Sequence, residues 1–138
     1  MTDRDAVLQA NEGFYRAFAS LDRARMAQVW LHAPHIRCVH PGGTLLAGWD
    51  AIMQSWAEIF TGALEMRFTT ENVQIALAGD LAWVVLVEQI TSRHRDGAGS
   101  GRIQATNVFE RVDGTWFLVH HHGSPIYEEA SHPTGTLH

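Results

Sequence analysis

Apolar residues recur at helical intervals over residues 4–20, where Val7, Ala10, Phe14 and Phe18 share a stripe and Leu21 follows. Asp22 is placed to cap a second short helix carrying Met26, Val29 and Trp30, and Pro34 closes that segment. Residues 36–40 alternate as a short strand with Ile36, Cys38 and His40 on one face, and Pro41-Gly42-Gly43 turns the chain. Leu45-Leu46-Ala47 reads as a short extension. Gly48-Trp49-Asp50 opens a third helix, with Ile52, Trp56, Ile59 and Phe60 on one stripe and Gly62 as its stop.

The period then changes from helical to alternating. Strands are predicted over residues 66–77, 81–91, 102–112 and 115–122. Gly79-Asp80 and Asp113-Gly114 read as tight turns, and residues 95–101 as a flexible glycine-rich loop. Residues 1–126 form one domain, and residues 127–138 read as a polar tail. Three helices followed by antiparallel strands predict an α+β fold, with one face of the sheet covered by the N-terminal helices. The centre of the second long strand, Ala82 to Val87, is apolar on both faces. An antiparallel sheet normally leaves one face wet, so this strand needs a second cover. The expected cover is the same sheet of another copy, making a homodimer.

Composition narrows the function. The 138 residues are 46% hydrophobic and 18% charged, which suits one globular core. All ten basic residues are arginine, and the net charge of -5 argues against a nucleic-acid surface. Without lysine there is no side-chain amine for Schiff-base chemistry. Cys38 is the sole cysteine, which excludes an intramolecular disulfide, and its place in an apolar strand suits a small buried hydrophobe. No apolar run is long enough to cross a bilayer, and the charged start Met1-Thr2-Asp3-Arg4-Asp5 lacks a signal-peptide layout. A cytoplasmic protein without membrane contact is expected.

The candidate chemistry lies in the histidines. His40 ends one strand, and His120-His121-His122 end another. Imidazole titrates near neutrality. Strand alternation puts His120 and His122 on one face and His121 on the other. Trp116 and Leu118, in phase with His120 and His122, look like core, so His120 and His122 are expected inward. Asn107, in phase with Ala105 and Phe109, is also expected inward, where its amide would polarise a carbonyl. Phe14, Tyr15, Trp30, Trp56, Val85, Val87 and Phe109 are the expected lining of an apolar pocket. Converging histidines, with Glu88 or Gln89 adding oxygen, leave a zinc or iron(II) site open as an alternative. The expected state has neither metal nor cofactor. Ser55 and Ser124 lie outside any Gly-x-Ser-x-Gly elbow.

His40-Pro41-Gly42-Gly43, Gly48, Ala105-Thr106-Asn107-Val108-Phe109, Asp113-Gly114-Thr115-Trp116 and Leu118 through Pro125 together resemble the SnoaL-like branch of the nuclear-transport-factor-2-like superfamily. The resemblance runs over residues 4–126. It implies a cone-like sheet closed by the helices around a deep apolar pocket. Ketosteroid isomerases of this superfamily carry a general base at the end of the first strand, a position that resembles His40 here. Their oxyanion-hole carboxylic acid matches Asn107. Their helix-borne tyrosine matches Phe14, with Tyr15 one residue on and about 100° round the helix. The implied function is acid–base chemistry of the lyase, isomerase or cyclase type on a hydrophobic carbonyl or hydroxyl compound. His40 would be the base, with Asn107 and His120 or His122 polarising the substrate. A non-catalytic binder of hydrophobic ligands and a dimeric accessory domain are the rival readings.

Overall fold

The computed structural model describes residues 1–127. The expected tail therefore lies outside the described residues, apart from Tyr127, which is exposed. Helix α1 (Asp3–Ser20) starts at a reciprocal cap: Asp5 N–H donates to the Thr2 hydroxyl and Thr2 N–H to the Asp5 carboxylate, each at 3.1 Å. Its buried stripe holds Val7, Asn11, Phe14, Tyr15, Ala17 and Phe18. Helix α2 (Arg23–Val29) is capped by Asp22, which accepts from Ala24 and Arg25 N–H. The helix stops well before Pro34, because Trp30 turns extended and bridges Leu118. Helix α3 (Trp49–Gly62) follows Gly48, whose φ of 87° favours glycine.

The strands are β1 (Arg37–Val39), β2 (Leu46–Ala47), β3 (Ala63–Ala78), β4 (Leu81–His94), β5 (Gly97–Val112) and β6 (Thr115–Pro125). They form one curved, unclosed sheet in the order β2-β1-β6-β5-β4-β3. Neighbours run antiparallel except β1 and β6, which are parallel. The sheet is thus mixed, because the chain leaves β1 through α3 and only β6 returns to its side. The predicted loop at residues 95–101 is mostly strand. Arg95-Asp96 makes a two-residue hairpin, and Gly97–Gly101 pair with Ile90–His94. Glycines here weaken the sequence signal for a strand while leaving backbone pairing intact. Asp113 and Gly114 both have positive φ, as a tight primed hairpin turn requires.

The helices cover the inner sheet face. On β4 that face carries Ala82, Val84, Leu86 and Glu88, and on β5 Ile103, Ala105, Asn107 and Phe109, all buried. Rings from three elements fill the space above it. Phe18 tilts against Phe68 at 4.4 Å and meets Trp56 edge-on at 4.7 Å between centroids, and Phe14 meets Trp56 edge-on at 5.8 Å. Burying each such ring is worth roughly 1.5–3 kcal/mol.

The register of β6 decides what its histidines do. Val108 pairs with His120, but the next residue, Phe109, pairs with Leu118, so Val119 is a bulge with no partner. Trp116 and Leu118 point inward as expected. Beyond the bulge the phase inverts, so His121 and Gly123 point inward while His120 and His122 point outward. The expected inward phase of His120 and His122 is corrected by this one extra residue. Gly123 is itself tightly placed: a Cβ there would stand 3.0 Å from both Ile103 and Pro41 side-chain carbons.

Candidate active site

The inner face of the sheet carries a continuous polar chain in an otherwise apolar interior. Asn11 and Tyr15 come from α1, Glu88 from β4, Asn107 from β5 and His121 from β6. Tyr15 hydroxyl donates to Glu88 Oε2 at 2.5 Å. Asn107 Nδ2 donates to Asn11 Oδ1 at 2.9 Å and to Tyr15 Oη at 3.1 Å. Both amide hydrogens of Asn107 are therefore used, and its Oδ1 accepts from His121 Nδ1 at 2.6 Å. The donors all run one way, from His121 toward the Glu88 carboxylate. Glu88, Asn107 and His121 are each at most 1% exposed.

Burial sets the charges along this chain. Desolvation pushes the Glu88 carboxyl up to about 7, against a smaller opposing pull from the Tyr15 hydrogen bond. It raises Tyr15 far above the usual phenol range, reinforced by the neighbouring Glu88 charge. It drops His121 to about 3, with His40 and the two flanking histidines adding repulsion. At neutral pH His121 is a neutral donor, and Glu88 is the group that can gain or lose a proton.

His40 closes β1 and reaches the same interior from the other side. Its ring meets Trp56 edge-on at 4.8 Å and lies 6.4 Å from the His121 ring, centroid to centroid. The Ser55 hydroxyl donates to the Ile52 carbonyl at 2.6 Å, so it accepts from His40 Nε2 at 2.8 Å. That assignment leaves His40 Nδ1 as the basic nitrogen. Desolvation lowers the His40 pKa, which keeps the ring neutral and able to accept a proton. Cys38 is fully buried, with its thiol pushed up to about 12, which removes it as a thiolate nucleophile at neutral pH. The indole N–H of Trp56 is buried without an acceptor among the described residues.

Of the expected pocket residues, Phe14, Tyr15, Trp56 and Phe109 face this interior, and Trp30 is buried where α2 meets β6. Phe14 and Tyr15 both point inward, since adjacent residues on a helix buried over a wide arc share its core face. Val85 and Val87 do not line the interior. They alternate with Val84, Leu86 and Glu88 and belong to the outer sheet face, correcting that expectation. The inward trio of His40, His120 and His122 does not assemble, and the described residues hold no group of three or more His, Cys, Asp or Glu suited to a metal. An open cleft of about 390 Å³ between α1 and β3 leads to the network, lined by Asn11, Tyr15, Arg16, Phe68 and Val73 among others.

Asn11 was not among the expected site residues, and Glu88 was expected only as an oxygen donor to a metal, although each carried a signal for the interior. Glu88 is the one charged residue in phase with Ala82, Val84 and Leu86, and Asn11 sits on the helical stripe between Val7 and Phe14.

Comparison with known proteins agrees with this architecture. Residues 7–128 match the SnoaL-like domain. The chain belongs to the SnoaL-like family. The chain is 31% identical over 119 residues to the F-box protein SKIP8 of Arabidopsis thaliana, covering 86% of this chain and 49% of that one. This SnoaL-like chain thus spans about half the length of that curated relative. A proposed dehydratase of the NTF2-like family from Streptomyces avermitilis superposes with a TM-score of 0.84 at 30% identity, covering 90% of this chain and 96% of the other. A proposed calcium/calmodulin-dependent protein kinase type II association domain from Thiobacillus denitrificans superposes at 0.77, also at 30% identity, covering 86% and 93%. Among the described residues of this SnoaL-like protein, no helix is long and apolar enough to cross a membrane.

Proposed function

We propose that this SnoaL-like protein is an acid–base enzyme of the lyase, isomerase or cyclase type, acting on a hydrophobic carbonyl or hydroxyl compound without a redox cofactor. The observation that carries this reading is Glu88, a carboxyl 1% exposed whose titration burial moves to near neutrality. A carboxyl in such surroundings costs stability and gains the ability to hold or release a proton at neutral pH. Tyr15 lines the open cleft, and its hydroxyl, bonded to Glu88, relays that proton to a ligand oxygen. Asn107 and His121 fix the Tyr15 oxygen in place. His40 Nδ1 is the second proton acceptor, and the unpaired Trp56 indole offers a further donor to a ligand oxygen. The likeness to a proposed dehydratase at 30% identity supports the same reaction class.

The test begins with the ligand. Native mass spectrometry of freshly purified protein identifies any small molecule carried from the host, and its carbonyl or hydroxyl analogues are then assayed for turnover. Glu88→Gln and His40→Ala are each expected to lower kcat about 10²-fold with the fold intact. Full turnover in Glu88→Gln overturns the reading.

A homodimer through the outer sheet face is the second part of the proposal. Trp83 is 41% exposed on that face, and Val85, Val87 and Val108 adjoin it across the β4–β5 ladder. The likeness to a proposed association domain favours self-assembly, and a purely accessory role for the fold would rest on the same surface. Sedimentation is expected to give twice the chain mass of 15.4 kDa, reduced to the single mass by Trp83→Glu. A native monomer ends this part of the reading.

A further inference from the structure

The bulge that turns His121 inward leaves His120 and His122 side by side on the outer face. Their ring centroids lie 6.0 Å apart at an interplanar angle of 41°. Across the ladders His120 stands between Arg37 and Val108, and His122 between Val39 and Thr106. Neither ring has a hydrogen-bond partner among the described residues. The other described surface histidines are engaged. His35 contacts Glu110 at 2.8 Å, His94 bonds the Gly62 carbonyl at 2.9 Å, and His32 stacks on Trp49 at 4.0 Å between centroids.

We propose that His120 and His122 together form a binding site for a borderline divalent cation of the zinc, nickel or copper class. Two imidazoles on alternate residues of one strand project in parallel, which is the geometry a chelate needs. Metal–nitrogen distances of about 2.0–2.1 Å would bring the ring centroids to about 5 Å, reached from 6.0 Å by side-chain rotation alone. Arg37 is the nearest cation, but its guanidinium is held by the Pro34 and Ile36 carbonyls at 3.0 and 2.8 Å. The pair supplies two nitrogen donors, which favours a borderline cation over hard ones such as calcium and magnesium. The site borders the proposed dimer face at Val108, the cross-strand partner of His120, and uses none of the interior residues. It therefore stands or falls apart from the acid–base proposal.

The probe is zinc chloride in isothermal titration, with nickel chloride as a second ion and calcium chloride as the control. Binding of one zinc per chain is expected, weakened at least tenfold by either His120→Ala or His122→Ala with circular dichroism unchanged. His132→Ala/His138→Ala, which removes the histidines outside the described residues, is expected to leave it as it is. Absence of binding, binding indifferent to both β6 variants, or binding lost with His132 and His138 overturns the site.

Discussion

Glu88→Gln is expected to make the protein more stable at pH 8, by ~3 kcal/mol, even as it removes the group on which the proposed activity depends. The carboxyl titrates at 4.5 in its ordinary state and at about 7 in the folded protein. Between those values the folded state binds more protons than the unfolded one, so native stability falls as pH rises through the window. Below pH 4.5 the carboxyl is protonated in both states and imposes no cost. Above pH 7 the whole cost is present. Glutamine keeps an acceptor for the Tyr15 hydroxyl and cannot ionise, so its stability lacks this slope. Urea unfolding of both proteins at pH 4 and pH 8 makes the comparison. Equal pH slopes would show that Glu88 ionises as freely in the fold as outside it.

His121 acts in the opposite sense and on a larger scale. Its folded pKa of about 3 lies below the ordinary 6.5, so the folded state binds fewer protons between these values. The stability tied to the neutral ring is fully present above pH 6.5 and is lost as pH falls toward 3, by ~5 kcal/mol in all. A glutamine at this position donates to Asn107 without titrating, so His121→Gln is expected to flatten the acid limb of the unfolding curve. His40, lowered by the same burial, adds to that limb in both proteins. Between pH 4.5 and 6.5 the Glu88 slope offsets that of His121, so the remaining rise of stability with pH there is set by His40 and His120, both lowered by burial. An acid limb of equal steepness in the native and glutamine proteins would mean that the ring takes up its proton as readily in the fold as in the unfolded chain.

Most of the architecture was legible because it follows from local rules. The spacing of Val7, Phe14 and Phe18 gave α1, and Asp22, Gly48 and Asp113-Gly114 marked a cap, a helix start and a hairpin as found. Asn107 was placed inward correctly, since β5 keeps its alternation from Ile103 to Phe109. The β6 histidines were misplaced because both faces of that strand are apolar and the phase depends on a pairing irregularity at Val119. A bulge is a relation between two strands, and the composition of one cannot reveal it. Val85 and Val87 were misread for a related reason: a strand apolar on both sides carries no sign of which is inner. Glu88 was available, but only to a reading that already fixed that sign. Tyr15 differed because α1 is buried across a wide arc, so one step round the helix still points to the core.

The unpaired residue at Val119 is silent with respect to sidedness. A chain shortened by that one codon would pair Leu118 with Phe109 and His120 with Val108 in unbroken succession, keeping His121 inside and its two neighbours outside. A chain that kept Val119 and drew it into the ladder would instead turn His120 and His122 inward and expel His121. The same three imidazoles thus serve two different interiors, and a change of strand register alone chooses between them.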